Sequence, residues 1–221
     1  MSALAPSTGF RVRVPLTLKN VTWAIMGLMT IVVFANDAAL LNPHHPYRSY
    51  ENKVAWVLLP HLLPGLVALL AGPLQFSSRF RKRYPDVHRK IGRTYVGCVL
   101  VSAPFALLIP FVGPKDPFFT IGVICHASVW FTATLMAFLT ARSRLMVDHK
   151  RWMMKSYALT FSFVLIRVLG PVWHLITIQQ YGVADVIMSF SYILIGDVIF
   201  AAQDMSARKN AGAARRAATP A

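Results

Sequence analysis

Apolar segments of spanning length alternate along this chain with short blocks of arginine and lysine, and that alternation restricts the fold more than any other feature. A segment crossing the hydrocarbon core needs about 20 mostly apolar residues. In lipid its backbone must also satisfy every N–H and C=O within the protein, which a helix does. Six segments qualify: residues 21–41, 54–76, 92–112, 118–140, 152–176 and 183–200. Of the 221 residues, 56% are hydrophobic and only 14% charged, too little polar surface for a soluble domain of this length. The expected fold is an all-α polytopic membrane bundle of six transmembrane helices. A cytoplasmic segment covers residues 1–20, the membrane domain covers 21–203, and residues 204–221 form a basic tail of disordered composition.

The formal net charge of +15 would suit a nucleic-acid partner if the basic residues lined one folded surface. They lie instead in blocks between apolar segments. One block holds Arg79, Arg81, Lys82, Arg83, Arg89, Lys90 and Arg93, and the loop before the fifth span holds Arg142, Arg144, Lys150, Arg151 and Lys155. The tail adds Arg208, Lys209, Arg215 and Arg216, whereas the alternate loops carry only Arg48, Lys53 and Lys115. This is the positive-inside pattern, and with an even number of crossings it puts both termini in the cytoplasm. The same blocks attract anionic lipid headgroups, and no nucleic acid is expected. Arg11, Arg13 and Lys19 precede the first span as in a signal anchor, but no clean small-residue cleavage site follows, so it is kept as a helix. Cys98 and Cys125, counted from opposite faces, differ in depth by about 10 Å. A disulfide brings Cα atoms within about 7 Å, so both read as small core residues.

Ionisable groups inside the spans carry the functional information, because each costs several kcal/mol unless paired or facing a cavity. In the second span His61, Gly65, Ala68, Gly72 and Gln75 recur at steps of four and three, which places them on one helical face. Gly122, His126, Ala133 and Ala137 repeat the pattern in the fourth. Small residues let another helix, or a flat cofactor, approach the backbone. His61 and His126 both lie about 10–12 Å below the outer surface. Two neutral imidazoles at one depth suit axial ligation of a haem b iron, with Gly65 and Gly122 making room for the ring. Two separately hydrogen-bonded histidines are the alternative. Arg167, at similar depth on the stripe Ser156, Thr160, Phe163, Arg167, Gly170 and His174, demands an anion: a haem propionate, Asp37 or Asp185.

A second pair stands at the inner mouth. His88 opens HRKIGRTY and His149 opens HKRWMMKSY, each followed by a hydroxyl–tyrosine pair. Such a pair would take a second haem, a headgroup or a partner's acidic substrate, or would simply be solvated. His44 and His45 read as outer-loop residues, and the lone carboxylate of Asp197 as a helix-pairing group or proton relay. Gly-rich phosphate loops, HExxH, paired intramembrane carboxylates and nucleophile elbows are all absent from the sequence.

The run PHLLPGLVALLAGPLQFSSRFRKRYPDVHRKIGRTY, the isolated His126 and DHKRWMMKSYALTFSFVLIR closely resemble the bacterial predicted membrane proteins grouped as domain of unknown function 2306. The resemblance runs from about the first span to Arg167. The arrangement is also similar to that of six-helix di-haem cytochromes b, which implies a four-helix core in which His61 pairs with His126 and His88 with His149. His88 and His149 depart from that pattern by falling at helix mouths. The expected function is that of a b-type haem protein transferring electrons within or across the membrane, with a quinol or similar donor. The rival is a non-redox transporter or assembly subunit whose buried His, Arg and Asp residues form a polar network.

Overall fold

The computed structural model of the chain describes residues 16–37, 48–113, 115–172 and 178–218. These residues form α1 (Leu16–Asp37), α2 (Arg48–Gln75), α3 (Ser78–Arg83), α4 (Pro85–Val112), α5 (Pro117–Arg142), α6 (Met146–Val172) and α7 (Ile178–Ala218), and no strand occurs among them. The turns follow local chemistry. Ser77 accepts the Phe80 N–H at 3.2 Å to open α3, and Pro85 opens α4 where its missing N–H is of no consequence. Asp116 accepts the Phe119 N–H at 2.8 Å to cap α5, with Pro117 following it. Between α5 and α6, Arg144 adopts a left-handed conformation with φ of 59°.

Four helices close a ring. α2 packs on α4, α4 on α5, α5 on α6 and α6 back on α2, so α2 stands opposite α5, and α4 opposite α6. α7 covers α5 and α6 from one side, and α1 packs on α6. The buried centre is built from small and apolar residues, among them Ala68, Val99, Ala103, Ala133, Ala137 and Leu159. Aromatic rings of Trp23, Phe76 and Tyr157 gather where α1 meets α2 and α6, with centroids 5.4–6.3 Å apart. The outside is apolar as well: Leu28, Leu63, Phe111, Ile187 and Val198 are each more than half exposed. A water-facing surface of that kind would be an aggregation hazard, whereas hydrocarbon accepts it.

Among the described residues, four helices are long and apolar enough to cross a membrane: Lys53–Phe76, Pro85–Val112, Pro117–Arg142 and Gln180–Gly212. The sequence predicts six. The described apolar part of α1, Asn20–Ala35, is shorter than a span, and residues 38–41 of the expected segment lie outside the described residues. α6 carries Lys150, Arg151, Lys155 and Arg167, which lower its hydropathy. The tail also departs from expectation, because α7 continues to Ala218. Its alanines, arginines and lysines are strong helix formers, so a sequence without apolar periodicity still extends a helix already nucleated.

Candidate functional site

The small-residue face of α2 is used along its whole length. His61 Nδ1 lies 3.0 Å from the hydroxyl and 3.1 Å from the carbonyl of Ser102 on α4, and the same hydroxyl donates to the His61 carbonyl at 2.7 Å. One turn on, a Cβ at Gly65 would stand 3.3 Å from that hydroxyl, so Gly65 is the gap that admits Ser102. Ala68 is fully buried, Gly72 lies under the ring of Tyr157, and Gln75 rests against Gly92 of α4.

His126 of α5 is held from two other helices. Its Nδ1 is 2.8 Å from Ser189 Oγ on α7, and its Nε2 is 3.2 Å from Ser162 Oγ on α6. Asp185, one turn before Ser189, brings a carboxylate oxygen to 4.0 Å from Nδ1. His61 and His126 are close enough to act on one another electrostatically, and Arg167 is likewise close to His61. The helices that carry them stand on opposite sides of the ring.

Ser189 Oγ donates to the Asp185 carbonyl at 2.6 Å, and Ser162 Oγ donates to the Leu159 carbonyl at 2.6 Å. Both serine protons are thereby used, so each His126 nitrogen faces oxygen lone pairs. A neutral imidazole offers one N–H, which leaves one ring nitrogen unanswered. His61 is similar: Ser102 has given its proton to the His61 carbonyl, so Nδ1 donates and Nε2 keeps its lone pair.

A family model described as Predicted membrane protein (DUF2306) matches residues 58–202. The chain belongs to this family. No curated protein and no solved structure matches it. The matched region of this DUF2306 protein takes in both serine-held histidines, the basic turn and most of α7.

Other sequence-predicted residues of the DUF2306 chain fall as follows. Gly122 is occupied by helix packing: a Cβ there would reach 2.5 Å from the Gly182 carbonyl, and one at Gly182 would overlap the Phe118 carbonyl. Arg167 stacks over Phe163, its guanidinium carbon 4.9 Å from the ring centroid. Asp185 serves His126, and the Asp37 side chain, His44, His45 and His174 lie outside the described residues. His88 and His149 are near enough to interact, and His149 Nδ1 bonds the Ala137 carbonyl at 2.8 Å. Cys98 and Cys125 are unbridged. Among the described residues no three His, Cys, Asp or Glu side chains gather as a metal cluster. Axial haem ligation requires only two histidines, so that observation does not bear on it.

The Tyr95 cluster is not foreshadowed by the sequence, whereas the expected helix pairing of Asp197 acquires its partner. Tyr95 of α4, fully buried, places its hydroxyl 2.8 Å from Ser156 Oγ and 2.9 Å from Thr160 Oγ1; Thr134 Oγ1 is 2.6 Å from Ser156, and Trp130 Nε1 donates to Thr160 at 2.9 Å. Tyr95 and Ser156 stood in the two repeated hydroxyl–tyrosine pairs, but nothing in their spacing joins one to the other. Lys155, counted with the basic residues at the start of the fifth span, lies inside α6 at 7% exposure and meets Asp197 at 2.5 Å, while Arg151 meets Asp204 at 2.5 Å. Together they line a cleft of about 300 Å³ with Trp152 and Phe200. The signal was Asp197, a lone carboxylate in an apolar segment that requires a cation.

Proposed function

We propose that this DUF2306 protein carries electrons through the membrane on a b-type haem held by His61 and His126. The observation that carries the reading is the unanswered imidazole lone pair at both residues, on helices that face each other across the four-helix ring. Histidines that ligate iron are oriented by a hydrogen bond on the other ring nitrogen, and Ser102 and Ser189 provide that bond. When bound, haem b supplies a one-electron carrier whose potential the surrounding protein sets. Gly65 contributes by admitting Ser102, and Arg167 is the cation suited to a propionate. Gly122 contributes indirectly, by letting α7 bring Ser189 and Asp185 to His126. The topology that goes with this reading has six crossings in a bacterial inner membrane, both termini cytoplasmic, and a quinol-class donor.

A second reading rests on Asp185. If the unanswered nitrogen of His126 takes a proton, the carboxylate 4.0 Å away becomes its counter-ion, and the group is a polar network of the kind a transporter uses. An absorption spectrum of detergent-purified protein, expressed with haem supplied, separates the two. The haem reading requires a Soret band with reducible α and β bands, abolished by His61→Ala with His126→Ala. A haem-replete preparation lacking the band refutes it and leaves the Asp185 network standing.

A further inference from the structure

The end of α2 presents a different imbalance. Gln75 is 8% exposed, yet its Nε2 has no hydrogen-bond partner, and neither has the buried Nδ1 of His88. Its Oε1 stands 3.1 Å from where a Cβ on Gly92 would be, so the carboxamide lies on α4 at that level. His88 is one turn earlier on the same face of α4. Leaving a buried polar group unpaired is unfavourable, and two such groups stand within one turn of each other along this face of α4.

The surroundings specify what would satisfy them. Arg81 of α3, with Arg89 and His149, lies close enough to act on His88 electrostatically. Asp86 is the one carboxylate in residues 77–93, and Arg89 already engages it in a salt bridge. His149 Nδ1 is committed to the Ala137 carbonyl. The corner therefore has an unanswered amide donor, an imidazole nitrogen that becomes a donor in one of its two tautomers, and positive charge in excess. A neutral carbonyl ligand would answer the donors and ignore the charge, whereas a phosphate answers both.

We propose that the mouth between α2 and α4 binds a phosphate-bearing anion, with Gln75 and His88 as direct donors and Arg81 as counter-charge. An anionic phospholipid headgroup and free phosphate share that chemistry. The site is independent of the haem reading, since it uses neither His61 nor His126.

The test is thermal unfolding of the full chain in an uncharged maltoside detergent, with dihexanoyl phosphatidylglycerol or inorganic phosphate as the probe. Phosphatidylglycerol should raise the midpoint, and Gln75→Leu and His88→Leu should each weaken the half-saturating concentration about tenfold or more, one charge-assisted hydrogen bond being worth that factor. Arg215→Ala with Arg216→Ala in the tail should leave it unchanged. If inorganic phosphate gives the same shift at equal concentration, the site is for free phosphate; if only the lipid does, for a headgroup. Should the leucine variants not fold, Gln75→Glu keeps the shape, sets a carboxylate against the anion and should abolish the shift. The proposal is overturned if neither probe moves the midpoint, or if the foldable Gln75 and His88 variants respond as the parent does. It is also overturned if haem analysis finds two haems per chain and His88→Leu removes one.

Discussion

The Tyr95 cluster and the His61–His126 pair are both polar groups buried among the same helices, and they differ in how their hydrogen bonds close. Around Tyr95, Thr134 donates to the Trp130 carbonyl, Thr160 donates to the Ser156 carbonyl, and the indole N–H and the remaining hydroxyls find partners within the set. Nothing is left over. Around the histidines the serines have already given their protons to backbone carbonyls, so a ring nitrogen remains in want of a partner. A closed network rigidifies and needs no ligand, whereas an open one is either costly or functional. Chemistry is therefore expected at the histidines, and structure at the tyrosine.

The strongest way to break the comparison is to move α7. Gly182→Val sets a side chain into the Phe118 backbone, which has no room to yield. The expected loss is about 3 kcal/mol or more, read from unfolding in detergent. Ser189 should leave His126 while the Tyr95 cluster, built from α4, α5 and α6, stays assembled. If Gly182→Val unfolds as the parent does, the α5–α7 contact is misplaced. Tyr95→Phe is the complementary change. It deprives Ser156 and Thr160 of a buried partner and should cost about 1–3 kcal/mol, with no effect on any haem absorbance. A lost Soret band in a folded Tyr95→Phe protein would contradict the division of roles.

The difference between the two regions was legible on one side only. The faces of α2 and α5 follow directly from period, because small residues and histidines recur at steps of three and four, and a helix turns that spacing into a seam. Helix limits, the basic turn and the pairing of Asp197 with some other helix follow from equally local rules. What does not follow is which hydroxyl meets which ring. Ser102, Ser162 and Ser189 are ordinary serines in apolar runs, and only the closing of the ring brings them to His61 and His126. Glycines are ambiguous for the same reason. Gly122 spaces like a cofactor seam and is used for backbone contact with Gly182, while Gly65 keeps its place near the histidine but admits a serine hydroxyl. The helical tail was missed because periodicity, the main sequence signal, is silent where propensity and continuity decide.

Smaller changes sharpen the comparison without breaking it. Ser102→Ala removes one of the two oxygens that face His61 Nδ1 and should cost about 1 kcal/mol of stability. In the haem reading it should also weaken haem retention about 10–100-fold and shift the reduction potential, as loss of a ligand-orienting bond does. The backbone carbonyl of Ser102 survives the substitution, 3.1 Å from Nδ1, so the effect should fall toward the low end of that range. Ser189→Ala leaves His126 Nδ1 with no such substitute among its hydrogen-bond partners and should fall at the high end. An equal loss at both serines, or a greater one at Ser102, would show that the hydroxyls do not hold the rings. The smallest effect is expected at Arg144, whose φ of 59° is a conformation that glycine adopts without penalty and other residues adopt at a cost of about 1 kcal/mol. Glycine also loses more chain entropy on folding, so Arg144→Gly should raise stability by less than about 1 kcal/mol. The substitution touches neither region, and a change in haem absorbance or in the cost of Tyr95→Phe would mean that the α5–α6 turn sets the register of α6 against both.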